Sequence, residues 1–321
     1  MLSTIYLVIP CYNEEEVLPI TIGKLTAKLD ELLAGNLISS ASRVILVDDG
    51  SKDRTWELIQ ACHQVDNRFG GLKLSRNRGH QNALLAGLMY AKDHADAVIS
   101  LDADLQDDIN AIDQFIAEYH NGNDIVYGVR NKRDTDSAFK RNTALAFYKL
   151  MHAMGVESVY NHADYRLMSK RTLEYLAEYK EVNLFLRGII PLVGFKSSTV
   201  TYDRFERAAG ESKYPLKKML AFAVDGITSF SVKPLRLITT LGFVIFLLSI
   251  LALIYSLIAK LVGATVVGWT AIVASIWLLG GLQLLSLGIM GEYIGKIYSE
   301  VKARPRFIVE DTLNEPQGRN E

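Results

Sequence analysis

Short runs rich in β-branched residues alternate along the chain with stretches whose apolar positions recur every three or four residues. The runs "IYLVI" (5–9), "RVILVDD" (43–49), "GLKLS" (71–75), "AVISLD" (97–102) and "DIVYG" (124–128) read as strands. Between them, helical spacing places Leu18, Ile22, Leu25, Leu29 and Leu32 on one face of a helix from about Glu15. Trp56 and Ile59 point inward from a helix beginning at Thr55. A third helix carries Ala83, Leu84, Gly87, Leu88 and Ala91, and a fourth Ile109, Ile112, Ile116 and Tyr119. Such alternation predicts an α/β fold, a mostly parallel sheet with helices on both faces. Ligands of these sheets sit beyond the carboxyl ends of the strands. Polar motifs fall there: "PCYNEEE" after the first strand, "DDGSKDRT" after the second, "DADLQDD" after the fourth and "GVRNKR" after the fifth.

The pattern changes after residue 230. Leu241 to Ala259 contains no charge, nor does Leu261 to Gly291. A bilayer core asks for ~20 apolar residues per helix, so two spans are expected, with a short turn around Gly263 to Gly268. A central Asp or Lys would cost ~2.5–3.5 kcal/mol in lipid, and these runs avoid both, which disfavours a hairpin buried in a soluble core. Lys217, Lys218, Lys233 and Arg236 precede the first run; Lys296, Lys302, Arg304 and Arg306 follow the second; Lys260 alone lies between. That asymmetry predicts both ends on the cytoplasmic side. Leu216, Leu220, Val224, Ile227 and Phe230 share one face of a helix expected to lie in the membrane interface. The expected divisions are 1–212 for the α/β domain, 213–234 for the interface helix, 235–292 for the spans and 293–321 for a cytoplasmic tail.

Composition narrows this picture. Lysines and arginines (35) balance aspartates and glutamates (36), so no overall field points to nucleic acid. Cys11 and Cys62 are far apart and fit neither a disulfide scaffold nor a metal spacing. The first residues carry no basic leader and their apolar run stops at Pro10, unlike a signal peptide.

Asp102, Asp104, Asp107 and Asp108 crowd four carboxylates into seven residues. A calcium loop is a poor fit: Asp107 stands where the turn glycine belongs, Asp113 replaces the closing Glu, and a strand precedes it. Asp107 and Asp108 suit a cap on the following helix. Asp102, taken as the last residue of its strand, does not. A hard divalent cation, Mg²⁺ or Mn²⁺, held by the Asp102 and Asp104 carboxylates with Gln106 as a further oxygen ligand, would offset the repulsion and bind substrate phosphates.

The motifs "VIPCYNEEEVLP", "VDDGSKDRT", "NRGHQNALLAG", "LDADLQD", "DYRLMSKRTL" and "RAAGESKYPLKKM" resemble, in order, those of family 2 glycosyltransferases with the Rossmann-like GT-A fold. More narrowly they resemble the polyprenyl-phosphate hexosyltransferases, the bactoprenol glucosyltransferase and dolichyl-phosphate mannose synthase group. The tail "GIMGEYIGKIYSEVKARPRF" is similar to that of bacterial members with two C-terminal spans.

The resemblance implies roles. Pro10, Tyr12 and Glu14 line a nucleotide pocket and Asp49 pairs with the base. Asp102 and Ala103 contact the sugar nucleotide, Asp104 and Gln106 hold the metal, and Arg130 meets a phosphate through its planar fork. Arg207 and Lys213 match an acceptor-side loop and would offset repulsion between two anionic reactants. Asp164 aligns with the position proposed as catalytic base; a lipid monophosphate is already an oxyanion, so orienting the acceptor or Arg166 is the alternative. Plainer readings stand beside these: Asn13 as a helix cap, Asp53 and Thr55 as turn and cap, and "NRGHQNALLAG" as packing, with Gly79 starting a helix and His80 unassigned.

The implied reaction is an inverting displacement. It moves a hexose from a nucleotide sugar, UDP-glucose first and an N-acetylglucosamine donor second, to undecaprenyl or another polyprenyl phosphate for cell-envelope glycan modification. A bacterial plasma-membrane location and a tetramer of identical chains come with the resemblance. Three rivals differ in class. A processive polysaccharide synthase needs more spans and a Gln-x-x-Arg-Trp motif that is missing here. A membrane-anchored nucleotide-sugar-binding protein without turnover would not need Asp104 and Gln106. A channel or helper subunit would leave the strand-end clusters without a task.

Overall fold

The computed structural model describes residues 2–104, 106–131, 162–182, 184–203, 232–262 and 268–313, and these fall into two units. The first contains β1 (Ile5–Cys11), α1 (Leu18–Ala34), β2 (Arg43–Asp48), α2 (Thr55–Val65), β3 (Phe69–Leu74), α3 (His80–Ala91) and β4 (Ala97–Ser100). It continues through α4 (Ala111–His120), β5 (Ile125–Arg130), β6 (His162–Ser169), α5 (Lys170–Leu176), α6 (Leu186–Leu192), β7 (Ser197–Tyr202) and β8 (Val309–Leu313). The second holds α7 (Lys233–Leu261) and α8 (Trp269–Lys302).

One sheet runs in the order β7-β5-β6-β4-β1-β2-β3-β8. β1 is parallel to β2 and β4, β2 to β3, and β5 to β7. β6 runs against β4 and β5, and β8 against β3. All five strands expected from the pattern are present. Strands β6, β7 and β8 extend the sheet from sequence that does not look like buried strand: "HADYRLMS" interleaves charges, "SSTVTY" is largely hydroxylic and "VEDTL" is acidic.

The central strands are apolar on both faces because both are covered. Ile5, Leu7 and Ile9 join a buried cluster with Leu18, Leu25 and Leu29 of α1 and with Ile112 and Phe115 of α4. Val8 and Val47 face the other way, against α3. A Cβ at Gly87 would lie 2.7 Å from Val47 Cγ2 and closer still to Val8 Cγ1, so α3 needs its small residue there. Each fully buried Leu, Ile or Phe contributes about 1.5–3 kcal/mol relative to exposure.

Several boundaries differ from expectation. Helix α1 starts at Leu18 rather than near Glu15, with Pro19 in its first turn. The residues before it are held instead by the loop after β2. Asn13 therefore does not cap α1: its Oδ1 accepts from Lys52 N at 2.9 Å and its own N–H donates to Ser51 Oγ at 3.0 Å. Strand β4 ends at Ser100, so Asp102 lies two residues beyond it. Leu101 still donates to Val8 O at 3.1 Å before the chain turns away.

In the second unit, apolar side chains of both helices stand exposed, among them Leu237, Leu251 and Tyr255 on α7 and Leu278, Leu284 and Leu287 on α8. Among the described residues, one stretch, Leu278–Lys302, is long and apolar enough to cross a membrane. Helix α8 continues to Lys302, past the 292 boundary expected for the spans. The interface helix expected at 213–234 lies outside the described residues, apart from residues 232–234.

Candidate active site

The sheet order reverses between β1 and β4: the chain winds outward through β2 and β3, then crosses to the other side of β1. The crevice beyond such a switch point is where open α/β sheets bind ligands. Three loops meet there, after β1, β2 and β4, and the antiparallel β6 brings its first residues to the same edge.

The loops after β1 and β2 are stitched together. Glu14 N donates to Thr55 Oγ1 at 2.9 Å and Glu15 N to Asp53 Oδ2 at 3.2 Å. Asp53 also accepts from Thr55 N and Oγ1 at 3.0 and 2.6 Å, the turn-and-cap role expected of this pair. Burial alone would raise the Asp53 carboxyl's pKa, but these bonds outweigh it and hold it below its usual value. Gly50, at φ 65°, lets the loop pass against the backbone of Arg76 and Asn77, where a Cβ would come within 2.5 Å. Buried Asp49 then accepts from Arg78 N at 2.7 Å and Gly79 N at 2.9 Å, which fixes the entry into α3. Pro10 is buried in β1, Glu14 is half-buried and Tyr12 is exposed at the rim.

The loop after β4 is pinned from beneath. Thr21, buried on α1, donates its hydroxyl to Ala103 O at 2.6 Å. That hold turns Ala103 inward and leaves Asp102 and Asp104 half-buried on either side of it. Asp104 Oδ1 accepts from Gln106 N at 3.2 Å, and Gln106 is buried. Asp107 was expected to cap α4 with Asp108. Instead it is buried against Arg130, whose Nη2 lies 3.2 Å from its Oδ1; Tyr202 OH stands 3.4 Å from Arg130 Nε. Asp108 alone makes the turn into α4, accepting from Asn110 N at 3.0 Å.

Strand register explains how Asp164 arrives. Ser100 pairs with Arg166 across the antiparallel β4–β6 ladder. Two residues onward on one strand and two back on the other put Asp102 beside Asp164, on a common face. Ser100 Oγ bonds to Asp164 O and locks that alignment. Each oxygen of the Asp164 carboxylate meets two nitrogen partners. Oδ1 accepts from Arg166 Nη2, and from Arg187 Nε at 3.1 Å. Oδ2 accepts from Arg187 Nη2 at 3.1 Å and lies 3.6 Å from His80 Nε2. The same His80 nitrogen is 3.6 Å from Asp102 Oδ1.

The electrostatics divide this cluster. Burial would raise the Asp164 carboxyl's pKa, yet Arg187, His80 and Arg166 hold it well below the usual carboxylate range. A carboxylate so held is a weak proton acceptor. Asp102 is shifted the other way, first by loss of water and then by Asp164, Asp107 and Asp104, against the pull of His80. Desolvation would favour a neutral His80, but the nearby carboxylates of Asp164 and Asp102, each 3.6 Å from Nε2, raise its pKa.

Among the described residues no three His, Cys, Asp or Glu side chains are grouped to hold a metal ion. Asp102 and Asp104, with the Gln106 amide nearby in sequence, form a smaller donor set. The excess negative charge on Asp102 fits a hard cation that takes its other ligands from water and phosphate oxygens. Arg207 and Lys213 lie outside the described residues. Two residues at the centre of the cluster had no assigned part in the sequence reading. His80 sits in a motif otherwise explained by packing, and Arg187's one signal is a lone cation inside the apolar run "LFLRGII".

Residues 6–176 match glycosyl transferase family 2, and residues 233–297 match the GtrB C-terminal hairpin. The uncharacterized glycosyltransferase YkoT of Bacillus subtilis (strain 168) is 57% identical over 310 residues, covering 96% of this chain and 92% of that protein. The SfII prophage-derived bactoprenol glucosyl transferase of Shigella flexneri is 41% identical over 307 residues, covering 95% of this chain and 97% of that one. The prophage bactoprenol glucosyl transferase homolog of Escherichia coli (strain K12) is 38% identical over 307 residues, covering 95% and 98%.

Proposed function

Because the chain belongs to glycosyl transferase family 2, in the bactoprenol glucosyl transferase group, we propose that it transfers a hexose from a nucleotide sugar to a polyprenyl phosphate at the cytoplasmic face of a bacterial membrane. One observation carries this reading. Asp102 and Asp104 stand at the switch point of the sheet beside the loops after β1 and β2, so a nucleotide in those loops would direct its diphosphate at the acidic pair.

The residues divide the work. Pro10, Tyr12, Glu14 and Asp49 surround the nucleotide, and Ala103, held by Thr21, sets the floor under the sugar. Asp102 orients the sugar, while Asp104 with Gln106 would hold Mg²⁺ or Mn²⁺. The cation supplies Lewis-acid stabilisation of the departing diphosphate, an effect worth several kcal/mol. Arg130, braced by Asp107 and Tyr202, is the cation that meets a donor phosphate. Arg207 and Lys213 meet the acceptor phosphate, whose oxygen attacks the anomeric carbon opposite the leaving group and inverts it. The acceptor arrives ionised, so no side chain has to remove a proton, and Asp164 serves as a fixed anion rather than a base. Holding both anions in line replaces a search through solution by positioning.

Helices α7 and α8 fit two spans. Leu241–Ala259 of α7 carries no charge, and α8 contains the candidate span. The chain passes from the first unit into these helices and afterwards returns to the first unit as β8, which supports an even number of crossings. A hairpin anchor keeps the enzyme where its lipid acceptor is. The glucosyl transfer in the relatives' names supports glucose as the sugar; UDP-glucose as donor and a tetramer of identical chains complete the proposal.

The test supplies purified protein with Mg²⁺ or Mn²⁺, undecaprenyl phosphate and a panel of nucleotide sugars, and reads products by mass spectrometry. A lipid-phosphate-linked hexose is expected. Release of free sugar alone would overturn the acceptor assignment, and a product only with an N-acetylglucosamine donor would overturn the choice of glucose.

A further inference from the structure

Four elements meet through one carboxylate. Arg187 begins α6 and grips Asp164 of β6 through two nitrogens, each at 3.1 Å. Asp164 lies 3.6 Å from His80 Nε2 at the start of α3, and that nitrogen lies 3.6 Å from Asp102 Oδ1 beyond β4. A second tie joins the same helices: Gln81 Oε1 accepts from Leu186 N at 2.8 Å. Arg187 is thus two side chains away from the residue set beside the donor sugar, and the planar fork of its guanidinium fixes the plane of the Asp164 carboxylate. Arg166, fully buried, holds the same carboxylate from beneath. Arg166 Nη2 meets Oδ1 of that carboxylate, whereas Arg187 spans both oxygens, and a grip at two points sets the carboxylate's rotation.

Building on the transfer reaction above, we propose that Arg187 is a positioning residue, acting through Asp164 and His80 to set the stance of Asp102 beside the donor sugar. The relay predicts a particular kinetic signature. Residues that orient a group bearing on the reacting centre typically change activity by about 10–100-fold when removed. Arg187→Met is therefore expected to lower kcat by about that factor, with donor KM altered less than threefold. Arg187→Lys keeps the charge and loses the fork, so it should recover part of the loss and not all of it.

Three measurements on the full-length protein in detergent decide the matter. Thermal midpoints and kcat per folded molecule are compared for wild type, Arg187→Met, Arg187→Lys and His80→Ala. The double variant Arg187→Met/His80→Ala tests the series: acting through one path, it should lose no more than the worse single variant. Histidine-labelled NMR, with the His80 signal assigned by its disappearance in His80→Ala, should show that signal displaced in both Arg187 variants. An unmoved His80 signal overturns the relay, as do multiplied losses in the double variant or an unchanged kcat per folded molecule. Should Arg187→Met fail to fold, Arg187→Lys carries both the kinetic and the NMR tests. The NMR arm needs no turnover. A wild type that makes no lipid-linked sugar therefore sinks the functional reading while the relay is still judged.

Discussion

The end of β2 and the loop after it carry Asp48, Asp49 and Asp53, and the loop after β4 carries Asp102, Asp104, Asp107 and Asp108. The two strands flank β1, so the loops are neighbours at one sheet edge. Their carboxylates meet different fates. In the first loop the chain itself supplies donors: Ser51 N for Asp48, Arg78 N and Gly79 N for Asp49, and Thr55 and Glu15 amides for Asp53. In the second, Asp107 has found an arginine, but Asp102 faces other carboxylates, with His80 as a counterweight. The first loop is held by its own backbone amides, although Asp48 Oδ2 is buried without a hydrogen-bond partner among the described residues and burial raises the pKa of the Asp48 and Asp49 carboxyls. The second keeps Asp102 among other carboxylates, the charge that the proposed cation and substrate would meet. Identical residue types at equivalent strand ends thus do different work, and the difference lies in who neutralises them.

The comparison breaks most sharply at the anchor shared by the second loop. Asp164→Asn leaves Arg166 buried beside a neutral amide. Removing one partner of a buried pair costs about 3–5 kcal/mol, so a large fall in the denaturant midpoint of the first unit is expected. A variant as stable as wild type would show that the pair is not structurally coupled.

Next in size, Asp104→Asn should lower transfer by about 10³-fold, the equivalent of several kcal/mol on the barrier. Its thermal midpoint should stay level or rise, because repulsion in the second loop is relieved. Calorimetry with Mn²⁺ and a nucleoside diphosphate should lose its binding heat in the same variant. Activity kept under complete chelation would remove the cation from the account.

Gly87→Ala tests the scaffold beneath both loops. The added methyl must displace Val8 or Val47, and overpacking of this kind costs about 1–3 kcal/mol. Turnover per folded molecule should fall less than the thermal midpoint implies.

The smallest expected effect falls in the first loop. Asp53→Ala removes a turn and cap worth ~1 kcal/mol, with turnover per folded molecule within about twofold of wild type. The sign of its pH dependence follows from the lowered pKa. Asp53 contributes stability above the unfolded value, near 3.8, and loses it as pH falls through the lower folded value. The gap in unfolding free energy between wild type and Asp53→Ala should therefore be widest at neutral pH and narrow as pH falls below 3.8. A gap that widens on acidification would contradict the hydrogen bonds assigned to Asp53.

Much of this fold was legible in the chain. Five strands and four helices follow from apolar runs and helical spacing, since central strands buried on both faces are almost uninterrupted in apolar residues. Asp102 and Asp104 were legible as a site because charges crowded at a strand end demand explanation. Strand β6 was not. Its Asp164 and Arg166 are charges that belong to a buried pair, and buried pairs look like surface until the partner is known. Strand β8 was hidden for another reason: an acidic edge strand draws its stability from pairing with β3, not from its own composition.

The sequence by itself determined the alternating architecture, the polar strand ends, the apolar hairpin and the acidic pair, because each is a periodicity or a composition that any local window displays. Only the tertiary structure decided that His80, Asp102, Asp164 and Arg187 share one point, that Asn13 serves a loop instead of a helix, and that Asp107 belongs to Arg130. Those outcomes depend on the antiparallel register of β6 and on where α3 and α6 come to rest. Charges pair by distance in space, and distance in space between residues far apart in the chain is set by the packing of the whole sheet.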